Sequence, residues 1–305
     1  MKQKTITKEV TVEGKGLHFG KNAKLTIKSA LPNTGYVFVR KDIADTAKIK
    51  AIADNVCDSS RNTTISKNGI SISTIEHLLA ATYALGIDNV VFEIDAPEVP
   101  ILEGNSKCFI DLYKQTEIVE QDAELKIFDI KKELEYSIQE KGIKYNVFPD
   151  ENLKFKVFVD FNISEFSNQE AELINFSDFE KKISTARTFV FLSDIEKLAN
   201  ANLIQGGNLD NAIIIIDVEK NQKEYDELSK KLNKPTFKVQ KKGEILNNTK
   251  LYFPNEQARH KLLDVVGDLA LTGYRFNARI QATHPGHFGN AQLAKIIRNY
   301  IKNSI

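Results

Sequence analysis

Two successive stretches of the chain each begin with strand-like alternation and end with helix-like periodicity. In the first, "KTITKEVTVEG" and "AKLTIKSA" alternate apolar and polar residues, as half-buried strands do, and "STIEHLLAATYALG" has a helical repeat. In the second, "KYNVF" and "NLKFKVFVDF" predict strands, and "NEQARHKLLDVVGDLALTG" and "GNAQLAKIIRNYIK" predict helices. Strands first and helices later, twice over, predict a repeated α+β arrangement.

A domain boundary is predicted between the two stretches. The segment from Ile118 to Glu124 is polar and lacks strong periodicity. We therefore expect an N-terminal α+β domain over residues 1–122 and a C-terminal α+β domain over residues 123–305. Within the second domain, the apolar strand "NAIIIIDV" lies between the helix-like stretches "SDIEKLANANL" and "KEYDELSKKLN".

Composition excludes several classes of protein. Hydrophobic residues make up 42% and charged residues 27% of the 305, which predicts a folded chain. Lys plus Arg number 42 against 41 Asp plus Glu, so the chain lacks the strong positive net charge that would favour binding to nucleic acid. Two cysteines are too few for a disulfide framework or a cysteine zinc site. With no secretory h-region and no apolar run near the roughly 18 residues of a membrane span, we expect a cytoplasmic protein without stable membrane insertion.

The stretch "FPNEQARHKLLDVVGDLAL" combines metal-binding residue types with a helical pattern. Asn255 is its predicted N-cap and Gly273 its predicted stop. His260 and Asp264 lie about 40° apart on one helix face, and Asp268 follows a turn later. An imidazole and a carboxylate at this spacing can reach one ion, and mixed nitrogen and oxygen ligands suit zinc. A histidine and an aspartate paired on a helix at the edge of a core, without a metal, would show the same spacing.

A second helix adds His77, preceded by Glu76. With His260 and Asp264, His77 would complete the three protein ligands of an open catalytic zinc site. Glu76 could then accept the proton of an attacking water. Ser73 and Glu76 also form the pattern of a capping box, and spacing leaves both interpretations open.

The segment "ATHPGHFGN" places His287 in a Pro-Gly turn, where it could protonate a leaving amine while paired with Asp268. His284 competes for that assignment. His18, in "GKGLHFG", is either a binding residue or a turn histidine. Thr188, in "STARTF", could stabilise an oxyanion, although most such threonines do not. "QGGNLDN" resembles no dinucleotide fingerprint, so no nucleotide cofactor is expected.

Together these segments resemble the zinc-dependent UDP-3-O-acyl-N-acetylglucosamine deacetylase family of lipid A biosynthesis. The matching pieces occur in the family's order, span nearly the whole chain, and include "STIEHLLAATYALGIDN", "NEQARHKLLDVVGDLALTG" and "HPGHFGN". The resemblance implies a Gram-negative source and a hydrolase that converts the UDP-linked acylated amino sugar to UDP-3-O-acyl-glucosamine and acetate.

The resemblance also implies roles for individual residues. The implied Zn²⁺ ligands are His77, His260 and Asp264. The implied catalytic residues are Glu76 as general base, His287 as general acid, Asp268 as the partner of His287, Thr188 as an oxyanion donor, and Lys261. The implied substrate-binding residues are His18, Phe161, Phe189 and Lys261, with Leu198, Leu203, Ile204 and Ile214 as candidates for an acyl-chain passage.

The fold implied is two α+β domains of similar topology, packed as a β-α-α-β sandwich with the active site in the cleft between them. A βαβ insert at about residues 191–216 would form the passage for the acyl chain. Glu103 and Asn105 depart from the family's usual Asp-Gly-Ser, and the stretch "DFNIS" loses polar neighbours of Phe161, so local substrate contacts can differ there.

The chain resembles the form of the family that is sometimes fused to a 3-hydroxyacyl carrier-protein dehydratase. We expect no such module within these 305 residues. Two alternatives to the deacetylase stay open from sequence. One is a zinc amidohydrolase acting on another small nucleotide or acyl amide. The other is a binding or scaffold protein with a closed structural metal site.

Overall fold

A computed structural model describes residues 1–200, 203–232 and 235–304 of the chain. The strands are β1 Lys2–Ile6, β2 Val10–Lys15, β3 Asn22–Ser29, β4 Tyr36–Arg40, β5 Lys48–Lys50, β6 Val56–Asp58, β7 Thr64–Lys67, β8 Ile70–Ile72, β9 Val90–Ile94, β10 Ile118–Glu124, β11 Ile127–Asp129, β12 Leu134–Ile138, β13 Ile143–Phe148, β14 Lys154–Val159, β15 Gln169–Leu173, β16 Phe189–Phe191, β17 Ile213–Ile215, β18 Arg275–Asn277 and β19 Arg279–Thr283. The helices are α1 Glu76–Ala84, α2 Lys107–Tyr113, α3 Phe179–Lys182, α4 Leu192–Asn200, α5 Gln222–Lys231, α6 Glu256–Leu269 and α7 His287–Lys302.

The two halves of the chain build sheets of the same topology. The first sheet has the order β2-β3-β9-β4-β5 and the second β12-β13-β19-β14-β15. In each sheet the central strand, β9 or β19, is parallel to the strand on one side and antiparallel to the strand on the other. The repeated α+β arrangement predicted from sequence is thereby confirmed.

Strand alternation explains which face of each sheet is buried. In β3, Ala23, Leu25 and Ile27 are buried, whereas the residues between them are exposed or half-buried. Because side chains alternate across a strand, this one-sided burial requires a layer packed on one face only.

Helices supply that layer. In the first half α2 packs on β2, and in the second half α6 packs on β14 and β15 and α7 on β12. Helix α1 packs on α6 across the two halves, so the helices lie between the sheets. Among the described residues, no helix combines the length and apolar character needed to cross a membrane.

The predicted N-cap of α1 is wrong, whereas Asn255 occupies the predicted N-cap position of α6 without a capping hydrogen bond. Ile75, not Ser73, immediately precedes α1, and the backbone N–H and hydroxyl of Ser73 both donate to Pro97 O. The capping box with Glu76 therefore does not form. Asn255 does precede α6, but its side chain accepts a hydrogen bond from Arg259 and donates to a backbone carbonyl in β15 instead of capping.

The polar segment chosen as the domain boundary forms a strand. Residues Ile118–Glu124 are β10, which pairs antiparallel with β1. Alternate β10 residues are half-buried and exposed, so the strand gives a weak hydrophobic signal in sequence. The division at residue 122 stays a prediction.

The stretch containing the predicted insert has its own strands, helix and small core. Strands β16 and β17 are parallel, and α4 lies between them in the chain. Residues 201 and 202 of this stretch are outside the described residues. A separate cluster of buried side chains fills the space between α4, α5 and the neighbouring loops: Leu192, Ile195, Ile216, Tyr225, Leu228, Phe237 and Leu246.

Helices α1 and α6 approach most closely at Gly267. A Cβ added there would lie 2.1 Å from the backbone oxygen of Glu76 and 3.2 Å from its Cα. A glycine is therefore required in the middle of α6, despite its low helix propensity, because any side chain would drive the two helices apart.

We expect Gly267→Ala to destabilise the protein by about 3 kcal/mol, the upper end of the usual cost of overpacking, because the clash is with backbone that cannot rotate away. Helix propensity alone predicts the opposite sign, a gain of about 1 kcal/mol. Urea denaturation measures the difference. Gly286→Ala is the control, because no heavy atom of the described residues lies within 4 Å of a Cβ added there. Equal stability of Gly267→Ala and the unmodified protein would contradict the close packing of α1 on α6.

Candidate metal and catalytic centre

The α1–α6 contact brings three potential ligands together, and we call His77, His260 and Asp264 the His-His-Asp group. One ligand atom from each lies within 4.8 Å of the others, and all three side chains are buried. Asp264 Oδ1 is 3.4 Å from His260 Nε2 and 3.8 Å from His77 Nε2. Tetrahedral zinc ligands about 2.05 Å from the ion are separated by about 3.3 Å. The spacing therefore fits a metal ion.

The hydrogen bonds of this group fit the binding of a cation. His260 Nδ1 lies 3.0 Å from Ala186 O, and because a carbonyl only accepts, Nδ1 must donate. In a neutral imidazole, Nε2 then carries a lone pair that faces Asp264 Oδ1, which has no hydrogen-bond partner among the described residues. Two buried acceptors facing each other are unfavourable, and a metal ion between them removes the conflict.

The protonation states of the group suit metal binding. Burial, and then the neighbouring His260, lowers the pKa of His77 to about 3, and burial also lowers the pKa of His260. Burial alone would raise the pKa of Asp264, but His260 and Lys261 hold it well below its usual range. Lys261 Nζ donates to Asp264 Oδ2 at 3.0 Å, which leaves Oδ1 for an ion. Two neutral imidazoles and one carboxylate are zinc-type ligands.

Glu76 and His287 flank the same group. His287 Nε2 is 4.0 Å from Glu76 Oε1 and 3.9 Å from Asp264 Oδ2. His287 is the first residue of α7, directly after Gly286, rather than a residue of a free turn. The two side chains thus border one small space beside Asp264.

The pKa values of both residues are raised, and this has opposite effects on their charges, because it favours the neutral carboxyl group and the charged imidazole. Burial, reinforced by Asp268 and Asp264 although opposed by His287, raises the pKa of Glu76 to about 7. Burial alone would lower the pKa of His287, but Asp268 and Asp264 raise it to about 9. General base and general acid catalysis need such a pair: a carboxyl group whose pKa is close to neutral pH, and a charged imidazole.

Asp268 is held from several sides. Its Oδ2 lies 3.0 Å from His287 Nδ1 and accepts a hydrogen bond of 2.8 Å from Asn290 Nδ2. The Asn290 Oδ1 in turn accepts from the Tyr145 hydroxyl at 2.6 Å. The other carboxylate oxygen of Asp268, Oδ1, accepts a hydrogen bond from Thr63 Oγ1 at 2.5 Å. Through this network α6, α7 and β13 fix the ring of His287.

An apolar cavity of about 600 Å³ lies next to the centre. The predicted passage residues line it, together with the predicted oxyanion donor and one predicted substrate contact: Leu198, Leu203, Ile204, Ile214, Thr188 and Phe189. The Phe189 ring joins cavity and centre, because it is 6.2 Å from the His260 ring and 5.4 Å from Lys261 Nζ. The cavity walls suit an aliphatic chain.

Other predicted substrate residues surround this junction. Phe161 packs 5.3 Å from the ring of Phe189, beside rather than within the cavity wall. Thr188 is fixed by its backbone N–H, which donates to Gly104 O at 2.8 Å, so the divergent loop around Glu103 and Asn105 contacts the site through backbone.

His18 and His284, whose roles the sequence left open, have different surroundings. His18 lines the cavity, its backbone N–H donates to the buried Glu98, and its Nδ1 has no partner among the described residues. Burial lowers the pKa of His18. His284 instead packs 5.8 Å from the Phe158 ring. His284 and His287 compete for the role of general acid, and His287 is the one that lies beside Glu76.

Sequence reasoning missed Thr63, Asn290 and Tyr145. Asn290 follows His287 by three residues in α7, and that helical spacing was a usable signal. Thr63 precedes a short strand and Tyr145 lies within one, where a hydroxyl in a strand pattern carries no local sign of function. The structure brings the predicted residues together, and their roles in a reaction stay predictions.

Comparison with known proteins adds a family. The chain matches the family model described as UDP-3-O-acyl N-acetylglycosamine deacetylase over residues 3–232 and 232–299. It is 35% identical over 294 residues to the UDP-3-O-acyl-N-acetylglucosamine deacetylase of Myxococcus xanthus, covering 96% of the chain and 85% of that relative. It is 37% identical over 302 residues to the protein of that name from Haemophilus influenzae strain PittEE, covering 97% of the chain and 90% of that relative.

A longer relative is similar over the same region. The chain is 43% identical over 303 residues to the bifunctional enzyme LpxC/FabZ of Porphyromonas gingivalis, which covers 99% of the chain. The chain spans 65% of the length of that relative.

Proposed function

This chain belongs to the UDP-3-O-acyl N-acetylglycosamine deacetylase family, and we propose that it is a zinc-dependent amide hydrolase. Its substrate would be UDP-3-O-acyl-N-acetylglucosamine, and its products UDP-3-O-acyl-glucosamine and acetate, the committed step of lipid A biosynthesis. The observation that carries the proposal is the buried Asp264 Oδ1, which lies between two imidazoles, is bordered by Glu76 and His287, and has no hydrogen-bond partner in the described part of the chain. Because nucleotide sugars are cytoplasmic metabolites, the proposal includes a cytoplasmic location.

The metal would be held by His77, His260 and Asp264. The chemistry that zinc supplies in such a site is Lewis-acid activation of water and of the amide carbonyl. An open position for substrate fits this group better than a closed structural site, because Glu76 and His287 border the group without belonging to it. That arrangement favours an enzyme over a scaffold protein.

Glu76 would act as the general base. Its carboxylate takes one proton as the oxygen of water forms a bond to the acetamide carbon. Burial keeps its pKa near neutrality, at about 7, so the carboxylate can both accept this proton and give it up again.

His287 would act as the general acid. In its charged form it donates a hydrogen bond to the developing oxyanion, and the hydroxyl of Thr188 would donate a second. The C–N bond then breaks, and the Nε2 proton of His287 passes to the departing amine nitrogen. Asp268 would hold His287 charged and oriented through its hydrogen bond to Nδ1.

The cavity would take the acyl chain, while Lys261, Phe161 and His18 would lie along the polar part of the substrate. Lys261 is already placed by Asp264 and by the ring of Phe189. Binding energy from the chain, about 0.8 kcal/mol per buried methylene, would anchor the acetamide beside Glu76.

We expect Glu76→Gln and His287→Ala to lower acetate release by about 10²- to 10⁴-fold, because each removes one proton transfer. Both variants should keep about one zinc per chain, since neither residue is a proposed ligand. Coupled acetate detection and metal analysis measure the two quantities. His284→Asn is the matched control and should keep the unmodified rate. If Glu76→Gln turned over like the unmodified enzyme, the base would be another group.

The acyl chain provides a second test, which separates this substrate from other small amides. We expect Leu203→Trp to lower kcat/KM for the acylated substrate by about 10-fold or more, because the indole fills space meant for methylenes. The rate on the same sugar nucleotide without the chain should not change. Leu31→Trp, at an 80% exposed position, is the control. Equal rates on the two substrates with the unmodified enzyme would favour another amidohydrolase.

A further inference from the structure

Thr63 is a fully buried residue between the two acid-base elements of the centre. It lies immediately before β7, in the first half of the chain, yet it contacts residues of both halves. Nothing in the local pattern "RNTTIS" indicates such a position.

The backbone and the side chain of Thr63 serve different partners. Its backbone N–H donates to Glu76 Oε2 at 3.1 Å. Its hydroxyl donates to Asp268 Oδ1 at 2.5 Å and lies 3.4 Å from His287 Nδ1. Its carbonyl accepts from the N–H of Ile75, so the residue is also tied to the start of α1. One residue thus contacts the proposed base and the partner of the proposed acid.

The hydroxyl bond adds a third restraint on the rotation of the Asp268 carboxylate. Asp268 Oδ2 accepts hydrogen bonds from His287 Nδ1 and Asn290 Nδ2, and Oδ1 accepts one from Thr63 Oγ1. Rotation of the carboxylate about its Cβ–Cγ bond would carry Oδ2 away from these two donors. The third bond, on Oδ1, opposes this rotation and so fixes the direction of the His287 ring.

We propose that Thr63 is a positioning residue that aligns the Glu76 carboxylate and the Asp268–His287 pair relative to each other. This role rests on the proposed deacetylase function. It acts on orientation only, because Thr63 itself exchanges no proton with the substrate. Small errors in the placement of a catalytic group can cost about 100-fold in rate, so alignment of this kind is measurable.

The kinetic test compares Thr63→Val with Thr63→Ser. Valine keeps the shape and the backbone N–H but removes the hydroxyl, whereas serine keeps the donor. We expect Thr63→Val to lower kcat about 10- to 100-fold with KM changed by less than about 3-fold, and Thr63→Ser to restore kcat to within about 3-fold. Thr64→Val, one residue on, is the control, because the Thr64 hydroxyl donates to Asn62 Oδ1 and not to Asp268. A Thr63→Val enzyme with unmodified kcat would overturn the role.

A readout without turnover separates this inference from the proposed function. In protein labelled with ¹⁵N-histidine, the Nδ1–H resonance of His287 reports its bond to Asp268. We expect this resonance to move in Thr63→Val and to return toward its original position in Thr63→Ser. An unmoved resonance in Thr63→Val would overturn the positioning role, even in a folded and active variant. If the unmodified enzyme released no acetate, the deacetylase function would fail while this measurement still tested the alignment.

Discussion

The close contact between α1 and α6 is the constraint on which the site depends. At Gly267 the backbone of α6 approaches that of Glu76 so closely that no Cβ fits. His77 comes from one helix and His260 and Asp264 from the other, so their ligand atoms can meet only at this interhelical distance. The glycine that weakens α6 locally is thus what allows the two halves to share one centre.

Charge compensation is the second requirement of this arrangement. Glu76, Asp264 and Asp268 place three buried carboxyl groups within one network, and His287 and Lys261 are the cations beside them. Burying an unpaired ion costs several kcal/mol, so the network needs each of these contacts. A metal ion at Asp264 Oδ1 would supply the remaining positive charge where no protein donor reaches among the described residues.

The features that followed from sequence are those governed by local periodicity. The alternation in β3 and the helical repeat of α6 predicted the repeated α+β fold, and the i, i+4 spacing put His260 and Asp264 on one face. Capping was not predictable in this way, because Ser73 bonds to a carbonyl 24 residues later in the chain. Thr63 lies 205 residues from Asp268, and no local pattern encodes a hydrogen bond across that separation.

Anomalous diffraction at the zinc edge from crystals of the zinc-loaded protein tests the central claim, that α1 and α6 hold one ion between them. We predict one strong peak about 2.0–2.2 Å from a nitrogen of His77, a nitrogen of His260 and an oxygen of Asp264. A peak bound by residues of only one of the two helices, or by neither, would contradict the account.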